Sequence, residues 1–331
     1  MKTEIVNRII ETLLEKIEAK DQEQGRLLVH DDFEQLDSRI NLWAIRENVR
    51  DLKETTVTGL ANIPDDVEIK VTYAPPSFFL DVLGGKKNVP YWQVATVIRI
   101  LRYSDIVYDP RGKMQQWMDQ APHIEWDPNL IELKRQTTQL LLDRMDNRIK
   151  EDMFADAYIW LVKAAEEAIC VPLMQANAFK IGTATLLLDV LRDFDEDLYT
   201  FFADLLRISA FTDEKLENAR KELETLADHL YRLNVKTDRE MWILAAFVSI
   251  NESERRLNQF RRNKSKLMKR LFETAVAELW QAYWLIAQNP KKEVKLDPWV
   301  VGSFWNHFGF DEMDEEWLSE QKKKVMALLP H

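Results

Sequence analysis

Strand-like alternation in this sequence is confined to the part before residue 110, and helical periodicity runs from residue 129 to the C-terminal end. Apolar residues two apart build strands, and apolar residues three and four apart build amphipathic helices. A chain that separates the two patterns this way folds as α+β, with a small sheet domain followed by a larger all-helical one. The division falls between Pro122 and Pro128, giving an α/β domain over 1–122 and a helical domain over 123–331.

The N-terminal part opens on Thr3–Ile17, where apolar residues recur at helical spacing between Glu and Lys. Short strands are expected at Arg26–His30, Ser38–Ile45, Val67–Tyr73 and Ser104–Asp109, with helices over Glu47–Leu60, around Phe78–Leu83, over Val89–Arg102 and from Lys113. In the second strand Arg39 and Asn41 are two apart and share a face, while Ile40 and Leu42 face a core. In the third, Glu68 and Lys70 share one face, and Val67, Ile69 and Val71 the other. Beyond residue 128, helices are expected at 129–149, 152–178, 182–192, 196–210, 213–232, 237–260, 264–288 and 313–328. Pro172 is expected to kink the second of these near Ala168, and Asp213, behind Thr212, and Thr237 read as N-caps.

Composition narrows the function. The formal charge of −11 speaks against general nucleic-acid binding and against anionic membrane surfaces. No apolar run approaches the roughly 20 residues of a membrane helix. The charged first twenty residues are no secretory signal, and with the single Cys170 they point to a cytoplasmic protein without disulfides or Cys-based zinc sites. Neither GxGxxG nor GxxxxGK[ST] occurs among the eight glycines, so Rossmann and P-loop phosphate cradles are excluded.

The layout of Leu27–Ile45, an apolar run, a polar turn and a strand beginning at Ser38, resembles the DNA polymerase β-like nucleotidyltransferases, of the aminoglycoside and minimal nucleotidyltransferase type. Val107-Tyr-Asp-Pro-Arg-Gly is similar to the segment that closes the core of that family. Ala155–Phe179, with Glu166, Glu167 and Asn177, is similar to the first long helices of its helical domain. The resemblance implies a strand entering a Gly-Ser turn and a next strand bearing Ser-Asp-x-Asp, whose two acids hold Mg²⁺ on a nucleoside triphosphate. Here His30-Asp31 replaces Gly-Ser, the spacer to Ser38 is short, and Arg39 and Asn41 stand at the acid positions. Glu68 is the candidate for the third carboxylate.

Two metals must clamp the attacking and leaving oxygens of such a transfer, and Mg²⁺ takes hard oxygen ligands. Arg39 puts a cation where cations must bind. The expectation is therefore a catalytically inactive relative with no metal and no required cofactor. Ser38, Arg39, Asn41 and Lys70 are its candidate ligand-binding residues. Asp31, Asp37 and Glu68 are the only candidate metal ligands, and the loop acids Asp31, Asp32, Glu34 and Asp37 read as a solvated loop. Arg39 with Lys70 suits a phosphate or carboxylate; its other reading is a cross-strand pair with Glu68.

Glu68 and Glu166 are the weak catalytic candidates. A helical-domain glutamate serves as general base in the aminoglycoside relatives, and a buried Glu166 would suit that role; its other reading is an exposed helix partner of Lys163. The run 255–270 (Arg255, Arg256, Arg261, Arg262, Lys264, Lys266, Lys269, Arg270) is the one basic cluster, read as a solvated helix junction. Asp189, Asp193, Asp195, Glu196 and Asp197 read as one helix end and the next N-terminus. The expected role is a nucleotide- or protein-binding regulatory protein, with a small molecule in the interdomain cleft, a protein partner or a homodimer, and no nucleic acid or membrane. The first alternative is an active transferase using Mg²⁺ and a nucleoside triphosphate to modify a small molecule such as an aminoglycoside. The second is a structural helical interaction module.

Overall fold

A computed structural model describes residues 23–29, 39–57, 68–179, 184–234, 240–262, 268–287 and 314–329. The fold is α+β. The chain divides into two compact units, 1–125 and 126–331.

The first unit holds a five-stranded mixed sheet of β1 (Glu23–Val29), β2 (Arg39–Arg46), β3 (Lys53–Val57), β4 (Glu68–Ala74) and β5 (Ser104–Tyr108), in the order β3-β4-β2-β1-β5. β2 and β4 run parallel, and the other neighbours are antiparallel. Among the described residues the unit also holds helices α1 (Pro76–Leu83), α2 (Tyr91–Arg102) and α3 (Lys113–Gln120).

One sheet face is apolar along its middle. Ile40 pairs with Ile69, and Leu42 with Val71, as the alternation requires, and all four are buried. The other face carries Trp43, whose ring stacks on Phe78 at 5.9 Å and meets Phe79 edge-on at 6.2 Å. Phe79 stacks in turn on Trp117 of α3 at 5.3 Å. Aromatic pairs at such distances add to the gain from burial alone. Aromatic residues of α1 and α3 thus cover the Trp43 end of this face.

Four strands fall close to where the alternation places them. Glu47–Leu60 does not form a helix over its described part: Glu47 and Asn48 make a turn, and Lys53–Val57 is the edge strand β3. The β-branched run Thr55-Thr56-Val57 favours extended backbone. Its side chains from Lys53 to Thr56 are exposed, so the strand carries no apolar alternation to announce it. Charged residues on such an edge oppose unwanted pairing. The expected helix at Thr3–Ile17 and the N-cap Thr237 lie outside the described residues.

The Asp-Pro-Arg-Gly turn after β5 has a structural cause. Asp109 accepts from the backbone N–H of Lys113 at 2.8 Å and of Gln115 at 3.1 Å. It thus satisfies donors that a helix start leaves open. Gly112 takes φ +67° at the α3 cap, a conformation costly for other residues.

The second unit contains α4 (Pro128–Lys150), α5 (Phe154–Gln175), α6 (Ala184–Phe194), α7 (Glu196–Leu205), α8 (Asp213–Asn234), α9 (Glu240–Arg262), α10 (Met268–Ala287) and α11 (Glu315–Ala327). Short connections make α4/α5 and α9/α10 helical hairpins. Asp127 caps α4 and Asp195 caps α7 through their carboxylates. Thr212, not Asp213, caps α8, its hydroxyl accepting from the Lys215 N–H at 3.2 Å. Asp213 is the first residue of that helix. α5 runs past Pro172 to Gln175 as one element. Pro172 lies in its last turn, where only the ladder bond to Ala168 is lost. Asn177 then takes φ +57°, the left-handed residue with which helices commonly end.

The largely aliphatic core of this unit contains an aromatic cluster. Tyr158 meets Trp280 edge-on at 5.3 Å and Trp317 at 5.6 Å. Its hydroxyl donates to the Leu205 carbonyl, and Trp280 Nε1 donates to the Leu206 carbonyl at 2.8 Å. Both polar tips are thus satisfied where the rings are buried. No helix among the described residues is long and apolar enough to cross a membrane.

Candidate functional site

The polar half of the sheet is assembled by register. Arg39 is the Cα partner of Glu68, and Asn41 the partner of Lys70, across the parallel β2/β4 pair. Asn41 also pairs with Val29 of β1, Val29 with Ser104 of β5, and Lys70 with Thr56 of β3. Directly paired residues share a face. One row therefore crosses all five strands: Thr56, Lys70, Asn41, Val29, Ser104. The row beside it holds Glu54, Thr72, Trp43, Leu27 and Ile106. The polar row thus begins where the aromatic cover of Trp43 and Phe78 ends.

This register joins the positions the sequence singled out. Positions 39, 41, 68 and 70 form a two-by-two block on adjacent strands. Asn41 is half-buried. Lys70 does not stand alone with Arg39 as an anion clamp, because its Nζ lies 2.8 Å from the Glu54 carboxylate. Helical order over 47–60 would have hidden that partner, and β3 supplies it. Glu54 is 57% exposed, and an exposed pair of this kind contributes about 0–1 kcal/mol. A competing anion can displace it at little cost. Ser104 was not anticipated. It is 6% exposed, and among the described residues its hydroxyl has no hydrogen-bond partner. No signal in the SDIVY segment points to it; only the register does. Ser38, Asp31 and Asp37 lie outside the described residues.

The block does not fit a pair of magnesium ions. At the two positions where the resemblance requires carboxylates, β2 offers a guanidinium and an amide. A unit positive charge 4 Å from another costs roughly 4 kcal/mol at an effective dielectric near 20, and each metal carries two. Asn41 supplies one neutral oxygen at most. Among the described residues, no group of three or more His, Cys, Asp or Glu is placed to hold a metal ion.

Glu166 is not the exposed partner that the helix pattern suggested. Its side chain is 8% exposed, and Lys163 Nζ sits 2.6 Å from its carboxylate. Lys163 also donates to Gln281 Oε1 at 2.9 Å. On the next residue, Glu167 binds the buried Lys134 at 2.6 Å. Burial raises the Glu166 pKa, against the lowering influence of Lys163. The apolar context of LVKAAEEAICVPLM already carried this signal. A carboxylate bound to an ammonium inside a core is an anchored ion pair.

The basic run is not a free cationic surface. Arg255 binds Glu252 at 2.5 Å, Arg261 binds Asp213 at 2.6 Å, and Lys269 lies 3.7 Å from Glu273. Arg270 pairs with Asp189, so Asp189 is a buried ion-pair partner as well as part of a helix end. Arg256 is buried. Lys264 and Lys266 lie outside the described residues.

No protein-family model and no curated protein matches the chain. Among solved structures it is similar to a nucleotidyltransferase-like protein from Exiguobacterium sibiricum 255-15, at 11% identity and a TM-score of 0.40, over 98% of this chain and 89% of that one.

Proposed function

We propose that this chain is a nucleotidyltransferase-like protein that binds an anionic ligand, a nucleotide by its phosphates, on the polar half of the sheet without transferring it. The observation that carries this reading is the β2/β4 register, which groups Arg39, Asn41 and Lys70 around the one acid position, Glu68. Two of the four side-chain types are cationic and one is a neutral donor. Arg suits bidentate phosphate contacts, and Lys supplies a point charge. The Lys70–Glu54 pair is exchangeable at the surface, and the partnerless Ser104 hydroxyl adds a buried donor in the same row. Calorimetry with ATP tests this. The expected result is binding that does not require Mg²⁺ and is weakened at least about fivefold by Lys70→Ala, a loss of about 1 kcal/mol. Binding that appears only with Mg²⁺, or turnover of the triphosphate, would establish the active transferase instead.

A second reading, a helical interaction module, is favoured by α9. Met241, Trp242 and Val248 on its first three turns are 71%, 51% and 62% exposed, and exposed apolar residues gathered on one helix mark interaction sites. That reading requires a dimer by sedimentation velocity at micromolar concentration, dispersed by Val248→Glu, and no response to ATP.

A further inference from the structure

We propose that the α4/α5 hairpin carries a second binding site, for a small oxyanion (a phosphate monoester or a carboxylate), built from Arg144, Asn147, Arg148 and Trp160. These residues line an open pocket of about 360 Å³ together with Glu151, within the range of small-ligand sites. Arg144, Asn147 and Arg148 stand at i, i+3 and i+4 on α4, so they share one face of the helix. Trp160 comes from α5 as the facing wall.

The donors are held in place by groups that leave their N–H edges open. The Arg144 guanidinium lies 4.8 Å over the Trp160 ring. Trp160 is itself braced edge-on by Trp284 at 5.1 Å, and Lys163 Nζ lies 5.2 Å over the Trp284 ring. Stacking uses the flat face of a guanidinium and leaves its in-plane donors for an anion. Among the described residues, the Arg144 and Asn147 side chains have no hydrogen-bond or ion-pair partner. Arg148 is held by acids: Nη1 binds Glu151 at 2.6 Å, and Nε lies 3.9 Å from Asp156. Among the described residues its Nη2 makes no hydrogen bond or ion pair. Two cations and one anion line the pocket, and Asp156 stands beside Arg148, so Arg144 is the lining cation without an acidic partner among the described residues. Holding two planar cations one turn apart before the ligand arrives removes part of the ordering cost of binding.

The test uses the full chain labelled with 5-fluorotryptophan, with the Trp160 resonance assigned by Trp160→Phe. Inorganic phosphate and acetate are titrated separately at constant ionic strength. The expected result is a saturable shift of the Trp160 resonance, with the dissociation constant raised at least about tenfold by Arg144→Gln and raised by Asn147→Ala. Lys150→Gln, an exposed change on the same helix, leaves it unaltered. Response to phosphate alone assigns a phosphate ligand, to acetate alone a carboxylate, and to both a general oxyanion site. No saturable shift with either anion, or a shift that Arg144→Gln leaves unchanged, overturns the proposal. The sheet face and its nucleotide response are independent of either outcome.

Discussion

Asn41 and Lys70 are direct partners on two parallel strands, and the pair two residues before them, on the same face, is Arg39 and Glu68. A single two-by-two block of positions thus holds Arg39, Lys70, Asn41 and Glu68, two cationic residue types, an amide and one acid.

It follows that acids placed on this backbone should restore metal affinity. The double substitution Arg39→Asp/Asn41→Asp creates a carboxylate pair two residues apart, facing Glu68 on the neighbouring strand. Hard oxygen ligands at this density bind Mg²⁺ or Mn²⁺. The expected outcome is Mn²⁺ binding by electron paramagnetic resonance in the double variant, at least about tenfold tighter than in the parent chain. Equal affinity in the two proteins would show that the block is not arranged as a metal platform.

The packing of the sheet face against α3 gives a second expectation. A Cβ added at Gly25 would sit 2.4 Å from Met114 Cγ and 3.0 Å from the Tyr108 carbonyl oxygen. Met is flexible and gives way more readily than backbone. Gly25→Ala should therefore destabilise by about 1–3 kcal/mol, as overpacked cores do. Adding Met114→Ala, which empties the contested space, should recover part of that loss. Urea unfolding of the two single variants and the double variant gives the coupling energy, and simple additivity would place the strain elsewhere.

Much of this architecture was legible in the residues, because helices longer than ten residues repeat their apolar spacing several times. The helices from Pro128 onward fall within a few residues of the periodic segments. β2 and β4 were legible because both faces of their pleat carry a pattern. β3 was not, since an exposed edge strand of Lys, Glu and Thr buries nothing that would mark its period. The site was half legible. Period two puts Arg39 with Asn41 and Glu68 with Lys70, but only strand pairing puts the two sets side by side and adds Glu54 and Ser104. Partner choice was least legible. Arg255 is neutralised by an acid three positions away, but Arg261 and Arg270 are neutralised by acids 48 and 81 positions away, a relation that no local window contains.

Those pairings predict weak nucleic-acid binding. Arg261 spends its donors on Asp213 and Glu217, at 2.6 and 3.5 Å, and the whole chain is acidic. Phosphate contacts release counterions and give a steep salt dependence. Fluorescence anisotropy with a single-stranded 20-nucleotide RNA should show no saturable binding at about 150 mM salt. Tight binding lost on Arg261→Gln would reverse this view of the cluster.

The thiol of Cys170 offers a probe of the helical core. It is 2% exposed, it donates to the Glu166 carbonyl at 3.1 Å, and burial pushes its pKa up to about 12. Only the thiolate reacts with disulfide reagents. The native protein should therefore leave Ellman's reagent unreacted over hours at pH 8 and release one equivalent at once in denaturant. Prompt reaction of the folded chain would mean that this helix opens locally.

Glu278 makes the stability of the helical unit depend on pH in a defined direction. Burial raises its pKa, and the nearby Glu252 charge raises it further, against Thr185, Arg256 and Ser249. The Thr185 hydroxyl donates to it at 3.2 Å. The folded chain thus keeps this proton where the unfolded chain, titrating near 4.5, has released it. The contribution is complete below the unfolded value and is lost as pH rises through the folded one. Glu166 acts in the same sense. Glu278→Gln keeps an acceptor for Thr185 and Ser249 and removes the charge that must be buried at neutral pH. The variant should be more stable than the parent at pH 8, where the folded parent must bury the charge. That advantage should shrink toward pH 5. Urea midpoints at pH 5, 6.5 and 8 measure it, and a difference that does not change with pH would mean that the Glu278 carboxyl is ionised in the folded chain throughout this range.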